Sequence, residues 1–567
     1  MSMQPRPWPE VPEETARVAR AAFRKGGSLP IRIRDELGSW YEDGDFAAVY
    51  PVRGAPGISP AQLAVVTVLQ FTENLTDRQA ADEARGRVDW KYCLGLDLAD
   101  EGFEFTVLNG FRDRLLAGGA ERVLFDRLLD LLKERGLVKA GGRQRTDSTH
   151  VLGRVRDLNR LELAGESVRA ALEALAAAAP GWLAGVIDAS WQQVYGQRID
   201  GWRLPEGQGA RGQLAVQYGR DGYHLLDQVM APGAPGWLAG LPAVRALRLI
   251  WIQQYYRDIS AGGEKVIWRD AGEHGLPPGR DRIVSPYDLD ARYCEKRGTG
   301  WTGYKVFLSE SLSDPAADDP RTGRPARPPV ITSVDTTPAA VADVAMTTPV
   351  HDQMQASGLT PGEHVVDSGF MSADELMAAR LRGITLLGPL RASRSAQVRP
   401  GGYAITAFTV DFDREQATCP QGIVSSRWAP FTRRDGVQLI RVQFPAPACR
   451  ACPDRGQCTT AARAGRQLSL RPREIHQAVL AARAAQATPQ FKDRYRARAG
   501  VEGTIAQATH VTGIRRARYL GLDKTRLEHI AAATAINCIR LDAWYSAKPL
   551  DRTRTTHLQR LDLTPAA

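Results

Sequence analysis

Apolar residues recur at helical spacing in the segment that begins at Ser59. Ser59 can cap a helix whose first residue is Pro60, and the apolar side chains that follow lie on one face of that helix. A second, short helix capped by Thr76 and two longer helices complete the segment. We therefore expect a compact helical domain over 59–138. The helix pair at 60–85 has the rhythm of a helix-turn-helix, and ordinary packed helices explain the same spacing.

Short strand-like runs follow this helical segment. The first, 143–151 (RQRTDSTHV), is separated from the others by a helix-rich stretch at 160–260. The later runs that we interpret as strands are 301–308, 329–334, 363–367 and 384–387. Helices are expected between them at 339–356 and 372–381. The order of strand, helix and strand over 363–387 predicts a parallel β-α-β unit.

The composition and residue spacing change twice in the last third of the chain. Residues 390–470 are rich in Arg, Pro and Gly, and they hold four of the seven cysteines. Apolar residues then return to helical spacing, which predicts helices at 473–487, 489–510 and 524–546. Thr488 can cap the second of these helices, and Pro489 can start it.

Composition and charge narrow the function classes. The 567 residues are 43% hydrophobic and 24% charged, a globular balance that excludes wholesale disorder and fibrous repeats. The net charge of +10 and the pI of about 9.3 favour a polyanionic partner. No secretory signal and no apolar run of membrane-spanning length is recognisable. The odd, low cysteine count fits the reducing cytoplasm. The phosphate-binding loop motif of ATP-driven enzymes, G-x-x-x-x-G-K-[ST], is absent from the sequence.

Three acidic residues stand out by position. Asp147 and Asp367 each lie at the end of a predicted strand, where ligand sites form in open α/β sheets. Glu502 lies in a predicted helix and shares a face with Tyr495 and Arg498. An arginine one turn before a carboxylate would hold it ionised and oriented. Each acid taken alone is also explained as a turn former, a helix cap or a solvated ion pair.

Taken together, these residues match a family pattern. The order of Asp147 in TDST, Asp367 in VVDSGF and the Y-x2-R-x3-E element resembles the DDE transposases of bacterial insertion sequences. The run WTGYKVFL is similar to the second core strand of that family, and 59–116 is similar to its N-terminal domain. The family often has a lysine seven residues after the glutamate, where this chain has Thr509. Arg515 or Arg516 is the expected substitute for that phosphate contact.

The resemblance implies an α/β fold with a ribonuclease-H-like catalytic core built on a mixed sheet. A helical N-terminal domain, a helical insertion and a Cys-containing insertion accompany the core. The implied domains are an N-terminal arm (1–58), a helical DNA-binding domain (59–138), the first core strand (139–159), the helical insertion (160–284), the core (285–389), the Cys-rich insertion (390–471), C-terminal core helices with the catalytic glutamate (472–546) and a tail (547–567).

The resemblance also assigns the chemistry. Asp147, Asp367 and Glu502 would be the ligands of two Mg²⁺ ions, with Mn²⁺ as an alternative. Two such ions about 3.5–4 Å apart activate the nucleophile and stabilise the leaving oxygen in phosphodiester transfer. Mg²⁺ prefers hard carboxylate oxygens, which explains an acidic triad. Arg498 would orient Glu502 or contact phosphate, and Tyr495 would position DNA near the cut.

A basic stripe surrounds the predicted catalytic glutamate. Within 491–526 nine Lys and Arg residues stand against three acids. Such a stripe with interleaved tyrosines predicts contacts to a phosphate backbone, and the alternative is a solvated helix face. The residues that we expect to bind DNA are Lys492, Arg494, Arg496, Arg515, Arg516 and Arg518.

Four cysteines form a second cluster in the sequence, Cys419, Cys449, Cys452 and Cys458. A CxxC pair with two further cysteines can make a tetrahedral zinc site of four thiolates. The five-residue spacing before Cys458 is longer than usual, and no second CxxC is present. Structural Zn²⁺ and unligated, reduced cysteines are equally supported by the spacing.

The resemblance predicts a transposase that binds the terminal inverted repeats of its element and cuts at the ends. It would then join them to target DNA by metal-dependent transesterification. The partner is double-stranded DNA, with a homodimer or higher oligomer in the DNA complex and no membrane. The expected location is the cytoplasm, at the nucleoid. The alternatives are a ribonuclease-H-like nuclease without strand transfer and a catalytically inert DNA-binding protein derived from a transposase.

Overall fold

The computed structural model describes residues 2–24, 27–259, 264–296, 298–312, 326–391 and 397–546. The expected tail, 547–567, lies outside the described residues. The chain divides into two compact units: unit 1 comprises Met1–Val138, Ser148–Val341 and the chain from Glu502 onward, and unit 2 comprises Lys139–Asp147 and Ala342–Val501. Among the described helices, none combines the length and the apolar character that a membrane crossing requires.

Helices dominate the N-terminal part of unit 1. They are α1 (Glu13–Ala22), α2 (Leu29–Leu37), α3 (Pro60–Thr72), α4 (Asp77–Gly86), α5 (Val88–Leu94), α6 (Thr106–Ala117) and α7 (Val123–Glu134). The two predicted caps are confirmed, because Ser59 and Thr76 each accept a bond from a backbone N–H three residues later. Residues 1–57 are more regular than their composition indicates. The helices α1 and α2 bury Ala19 and Ile31 in a small apolar cluster with Tyr92 of α5.

The predicted first strand is confirmed as β1 (Arg143–Leu152), and a helix-rich segment of unit 1 follows it. Its elements are α8 (Arg160–Ala178), α9 (Pro180–Ala184), α10 (Ala189–Tyr195), α11 (Gln208–Met230), α12 (Pro242–Gln254), β2 (Tyr255–Asp258) and β3 (Lys265–Trp268). Leu225, Ile250 and Trp251 belong to the core of this segment. The antiparallel hairpin of β2 and β3 was not predicted from the sequence.

Unit 1 also contains an antiparallel strand group. The strand β4 (Arg292–Lys296) pairs with the first part of β5 (Thr299–Ser311), and β6 (Ile331–Pro338) pairs with the remainder of β5. Gly303 of β5 has a φ of +148°, and a Cβ there would lie 2.3 Å from the backbone oxygen of Val151. Glycine is therefore required where β5 passes the end of β1.

Unit 2 begins with a parallel arrangement. Its elements are α13 (Thr347–Ala356), β7 (Glu363–Val365), α14 (Ala373–Leu381) and β8 (Thr385–Leu387). The strand β7 pairs in parallel with β1 and with β8, and α14 connects β7 to β8. The predicted parallel β-α-β unit is confirmed. With antiparallel strands in unit 1 and parallel strands in unit 2, the chain is a mixed α/β protein with many helices.

The Cys-rich segment of unit 2 contains strands that its composition did not predict. Its elements are β9 (Thr409–Asp411), β10 (Gln416–Thr418), β11 (Arg427–Thr432), β12 (Gln438–Gln443), α15 (Ala446–Ala451), α16 (Arg455–Cys458) and β13 (Gln467–Leu470). The strands β9 and β10 form one antiparallel pair, and β11, β12 and β13 form an antiparallel sheet. Phe408, Val442, Phe444 and Leu470 contribute to a small core of their own.

The C-terminal helices are α17 (Arg473–Gln486), α18 (Pro489–Tyr495), α19 (Gly500–Thr512) and α20 (Leu522–Tyr545). Thr488 caps α18 as predicted, because its Oγ1 accepts the backbone N–H of Phe491 at 3.2 Å. The expectation of one continuous helix over 489–510 is wrong. The helix α18 ends at Tyr495, and a 3₁₀ turn, Arg496–Ala499, separates it from α19.

The long helix α20 packs against β6 and α3 within unit 1. Asn537 of α20 is fully buried and bonds both backbone groups of Ile331, donating at 2.9 Å and accepting at 2.7 Å. A buried amide with both ends satisfied fixes the register of the helix on the strand, because any slip would leave these polar groups unpaired.

Candidate active site

Asp147 lies in β1, and an arginine holds its side chain. Arg498 Nη2 donates to Asp147 Oδ2 at 2.7 Å, and only 21% of the arginine and 11% of the aspartate side chain are exposed. Such a charge-assisted bond favours the ionised carboxylate. Arg498 comes from the 3₁₀ turn that interrupts the expected helix. The structure therefore gives Arg498 an acidic partner that helical spacing did not predict.

The strand register relates Asp147 to Asp367 within unit 2. Arg143 pairs with Glu363, and Arg145 pairs with Val365, in the parallel ladder of β1 and β7. The ladder ends at this last pair, and Asp147 and Asp367 each lie two residues beyond it. Asp367 follows the end of β7, whereas β1 continues to Leu152, so the prediction that Asp147 ends its strand is wrong. Neighbouring strands are about 4.8 Å apart, and paired residues of parallel strands face the same side of the sheet. The parallel pairing thus brings together the chain segments that carry Asp147 and Asp367 within unit 2.

A further carboxylate lies near Asp367. The backbone N–H of Gly369 donates to Asp367 Oδ1 at 2.6 Å. A Cβ added at Gly369 would lie 2.8 Å from that oxygen and 3.2 Å from Asp343 Oδ2, so both oxygens lie within 3.2 Å of one point. Asp343 was not among the residues predicted from the sequence. It belongs to a 3₁₀ helix, Asp343–Met346, which no strand-end or helix-face pattern singles out.

Tyr495 belongs to the same group of side chains. Burial raises the pKa of its hydroxyl, the charge of Arg498 lowers it, and the charges of Asp367 and Asp147 raise it. These influences fall off steeply with distance, so the four side chains are electrostatic neighbours. The ring of Tyr495 stacks on Phe491 at 5.6 Å between centroids with a 15° angle between planes. This contact fixes the ring at the end of α18.

A buried chain of two histidines lies behind the carboxylates. Thr146 Oγ1 is 2.6 Å from His364 Nε2, and His364 Nδ1 is 2.8 Å from His351 Nε2. Thr146 precedes Asp147 in β1, so the side chains of these two residues face opposite sides of the sheet. Burial lowers the pKa of His364 well below the usual range and that of His351 to about 4. The chain is therefore neutral at physiological pH.

Glu502, the third predicted acid, belongs to unit 1 and is exposed in the first turn of α19. Two residues later, Thr504 Oγ1 donates to Glu310 Oε2 at 2.5 Å. Arg540 Nη1 donates to the same oxygen at 2.7 Å, and its Nη2 donates to Thr504 Oγ1 at 2.6 Å. These bonds fix the start of α19 to β5 and α20 within unit 1.

The predicted DNA-binding residues of unit 2 are all exposed. Arg494 is nevertheless engaged by Glu363, with its Nε at 2.9 Å, and Arg496 pairs with Asp493 at 3.1 Å. Lys492, two residues before Arg494 on α18, is also exposed. Arg494 therefore helps to hold α18 in place and is not simply a solvated cation.

The remaining three lie in unit 1, after α19. Arg515 Nε donates to Thr149 Oγ1 at 2.9 Å, and Arg518 Nη1 donates to the backbone oxygen of Leu75 at 2.8 Å. Arg516 is exposed. Thr509, which replaces the lysine of the family pattern, donates to the backbone oxygen of Ile505 at 2.7 Å. The hydroxyl of Thr509 therefore has its hydrogen-bond acceptor within α19.

The four clustered cysteines are free thiols, and all of them line one small pocket of unit 2 together with Arg455 and Arg466. Burial raises the pKa of Cys458, Arg466 lowers it, and the other three cysteines raise it. Within the described residues, no group of three or more His, Cys, Asp or Glu side chains is arranged to hold a metal ion. The structure therefore shows no zinc site there and does not support the zinc interpretation. Asp147 and Asp367 remain a pair of adjacent hard-oxygen donors.

Two family models match the chain. Residues 28–114, which run from the start of α2 into α6, match a transposase domain (DUF772). Residues 418–542, which contain the cysteine cluster, Arg498 and Glu502, match the Transposase DDE domain. No curated protein matches the chain. These two domain matches indicate a DDE transposase of the insertion-sequence type.

Proposed function

We propose that this chain binds the terminal inverted repeats of its own element, cleaves phosphodiester bonds at the element ends and joins those ends to target DNA. Family membership implies DNA as the partner and supports a transposase activity. The sequence of steps, the repeats as binding sites and the joining reaction are the proposal. DNA as the substrate also implies that the protein acts at the nucleoid, as a homodimer or higher oligomer on paired ends.

The observation that carries the proposal is the register of β1 and β7. The last pair of this register, Arg145 with Val365, lies two residues before Asp147 and Asp367, and Arg498 holds Asp147. Adjacent like charges repel, so an unscreened pair of carboxylates is unfavourable unless a cation compensates it. Arg498 compensates Asp147, so the proposed role of a divalent cation is to compensate the second carboxylate.

The donor set fits a hard divalent cation. Asp147 and Asp367 offer carboxylate oxygens, which Mg²⁺ and Mn²⁺ prefer. The resemblance adds Glu502 as a third ligand, and two bound ions would activate the attacking oxygen and stabilise the leaving one. Arg498 offsets the charge of Asp147 through the bond between them. Tyr495, fixed by stacking on Phe491, would position the DNA strand next to the carboxylates.

We also infer a ribonuclease-H-like core. The antiparallel pairing of β5 with β6 in unit 1 and the parallel pairing of β1, β7 and β8 in unit 2 support it, since the fold requires both kinds of pairing. We assign the domains as the sequence predicted them, with terminal-repeat recognition in 59–138. Contacts to phosphate are assigned to the basic stripe around Glu502, with Arg515 and Arg516 in place of the missing lysine.

The test is metal-dependent cleavage and joining of a labelled duplex that carries the inverted repeats flanking the gene. Asp147→Ala and Asp367→Ala should each abolish cleavage and leave duplex binding largely intact. Asp352→Ala is the matched control, because Asp352 is an exposed aspartate of unit 2 that pairs with Arg382. It should cleave like the unmodified chain.

Three outcomes separate the alternatives. Cleavage with joined products supports the proposal, and cleavage without joined products would identify a nuclease. Metal-independent binding without cleavage would identify an inert DNA-binding protein. Full activity of Asp147→Ala would overturn the site assignment itself.

A further inference from the structure

A cavity of about 360 Å³ lies in unit 1 between the chain that follows β1 and the helical segment 160–284. Arg154 and Arg156 come from the loop after β1, Arg169 comes from α8, and Arg198 comes from the loop after α10. Glu166, Ser285 and Tyr287 complete the polar lining. Four guanidinium groups and one carboxylate thus surround one space, so the cavity is suited to an anion.

The single carboxylate of the lining is already saturated. Glu166, with 1% of its surface exposed, accepts from Arg169 Nη2 at 3.1 Å, from Tyr287 Oη at 2.6 Å and from the backbone N–H of Ile199 at 2.6 Å. Although burial raises the pKa of Glu166, these bonds lower it, and the net effect is a lowered pKa. Glu166 therefore stays ionised and orders the wall, and it does not offer a free oxygen to a cation.

The other arginines are held to different degrees. Arg156 Nη2 donates to the backbone oxygen of Ile199 at 2.6 Å and pairs with Asp200. Arg198 is held more loosely, because its Nε lies 3.7 Å from Oδ1 of the same Asp200 and 59% of its side chain is exposed. Arg154 is exposed and donates to the backbone oxygen of Arg518 at 2.8 Å. Arg154 and Arg198 thus keep donors available at the mouth of the cavity.

The cavity continues the basic segment that follows α19. The end of β1 forms a bridge with this segment, because Leu152 N donates to the backbone oxygen of Arg515 at 2.8 Å and Ala517 N donates to that of Leu152 at 2.9 Å. Arg154 then bonds Arg518, and Leu520 lines the cavity itself. A phosphate chain that follows Arg515 and Arg516 would meet this cavity next.

We propose that this arginine cavity binds a backbone phosphate of duplex DNA and extends the DNA surface onto the helical insertion. The inference rests on the proposed function, since it takes DNA as the partner. Guanidinium forks suit phosphate oxygens, which accept paired bonds from them. The contact positions the duplex and reads no bases, because phosphates carry no sequence information.

The experiment measures the affinity of the full chain for a random-sequence duplex by fluorescence anisotropy over a range of salt concentrations. Arg154→Gln combined with Arg198→Gln should weaken binding and flatten the plot of log affinity against log salt by about 0.9 for each phosphate that the variant no longer neutralises. At 0.1 M salt each such phosphate corresponds to roughly eightfold weaker binding. Arg248→Gln, on the exposed side of α12 and outside the cavity, should change neither quantity.

Arg198→Gln alone is the second variant, because Arg198 makes no close bond in the described structure and its replacement should not affect folding. It should lower the salt slope by part of the double-variant effect. An unchanged slope in both variants overturns the inference. If titration shows that inorganic phosphate binding is abolished while duplex binding is unchanged, the cavity is a small-anion site and the inference is also wrong.

These readouts are independent of cleavage. A chain that cleaves and joins DNA but shows equal salt slopes in all variants would refute only the cavity. A chain that shows the predicted slopes but never cleaves would refute the proposed function and retain the cavity as a DNA contact.

Discussion

Replacing Arg540 by Met should strongly destabilise unit 1. Arg540 lies on α20, with 6% of its side chain exposed, and it donates to Glu310 of β5, whose side chain is only 1% exposed. Three further bonds complete the network, from Arg540 to Thr504 at 2.6 Å, from Arg540 to Gln507 at 3.0 Å and from Thr504 to Glu310 at 2.5 Å. The substitution keeps much of the side-chain volume and removes the charge and the donors.

The magnitude follows from the carboxylate left behind. Removing one partner of a buried ion pair typically costs about 3–5 kcal/mol, because the other charge stays buried without compensation. Replacing both partners by apolar residues of similar volume is often neutral. The combined variant Arg540→Met, Glu310→Leu should therefore recover most of the stability that either single variant loses.

The assay is urea unfolding of the full chain, followed by tryptophan fluorescence, with the midpoint and slope compared across the four members of the cycle. Arg526→Met is the matched control on the same helix, because Arg526 faces Asp335 at 3.5 Å with 34% of its side chain exposed. A partly exposed pair contributes about 0–1 kcal/mol. If Arg540→Met loses no more than Arg526→Met, or if the combined variant is as unstable as the two single losses added, the network does not hold α19 in the way argued.

Three further predictions concern stability. Burial raises the pKa of Glu528 to about 7. Between about pH 4.5 and 7 the folded chain therefore keeps a proton on Glu528 that the unfolded chain releases. The free energy of unfolding falls with rising pH over that window. Glu528→Gln should remove this fall, which corresponds to about 3 kcal/mol of unfolding free energy. The measurement compares the urea midpoints of the two chains at each pH. Gly222→Ala should lower the melting temperature by overpacking at a cost of about 1–3 kcal/mol, because its Cβ would lie 2.1 Å from the ring of Trp251. Thr146→Val should cost about 1–3 kcal/mol in urea unfolding, since it leaves a buried ring nitrogen of His364 without its partner.

Local signals predicted much of the fold. The caps at Ser59, Thr76 and Thr488 are read from residues three positions apart, and the structure confirms all of them. The parallel β-α-β unit is equally local, because its strands and helix follow one another within 363–387. Such features depend on bonds within a few residues, so the sequence around them is sufficient.

The break between α18 and α19 could not be predicted from the residues around it. The segment Arg496–Ala499 contains only Arg and Ala, which are strong helix formers. Two arginines of β1 bond this region instead: Arg143 donates to the backbone oxygen of Arg494 at 3.1 Å, and Arg145 donates to that of Ala497. These carbonyls would otherwise accept bonds within a continuous helix. Contacts over some 350 residues of sequence therefore override the local preference.

The strands of the Cys-rich segment were missed for a related reason. Its strands are short, and β11 and β12 carry Arg or Pro, so alternation of apolar and polar residues is weak. The pairing of β11 with β12 and β13 creates the apolar face that buries Val442 and Leu470. A pattern that arises only after three strands have paired has no counterpart in any one of them.

In the candidate site, too, local features differ from long-range contacts in how far the sequence predicts them. Asp367 follows the end of β7 as expected, but Asp147 lies within β1, which continues to Leu152, so the strand-end prediction holds for only one of the two acids. What holds these carboxylates was not predictable. Arg498 reaches Asp147 only because the helix breaks before it, and the break depends on arginines of β1, the strand that carries Asp147. The strand thus provides a carboxylate and also helps to fix the turn that supplies its counter-ion, so sequence spacing alone could not assign Arg498 as the partner of Asp147.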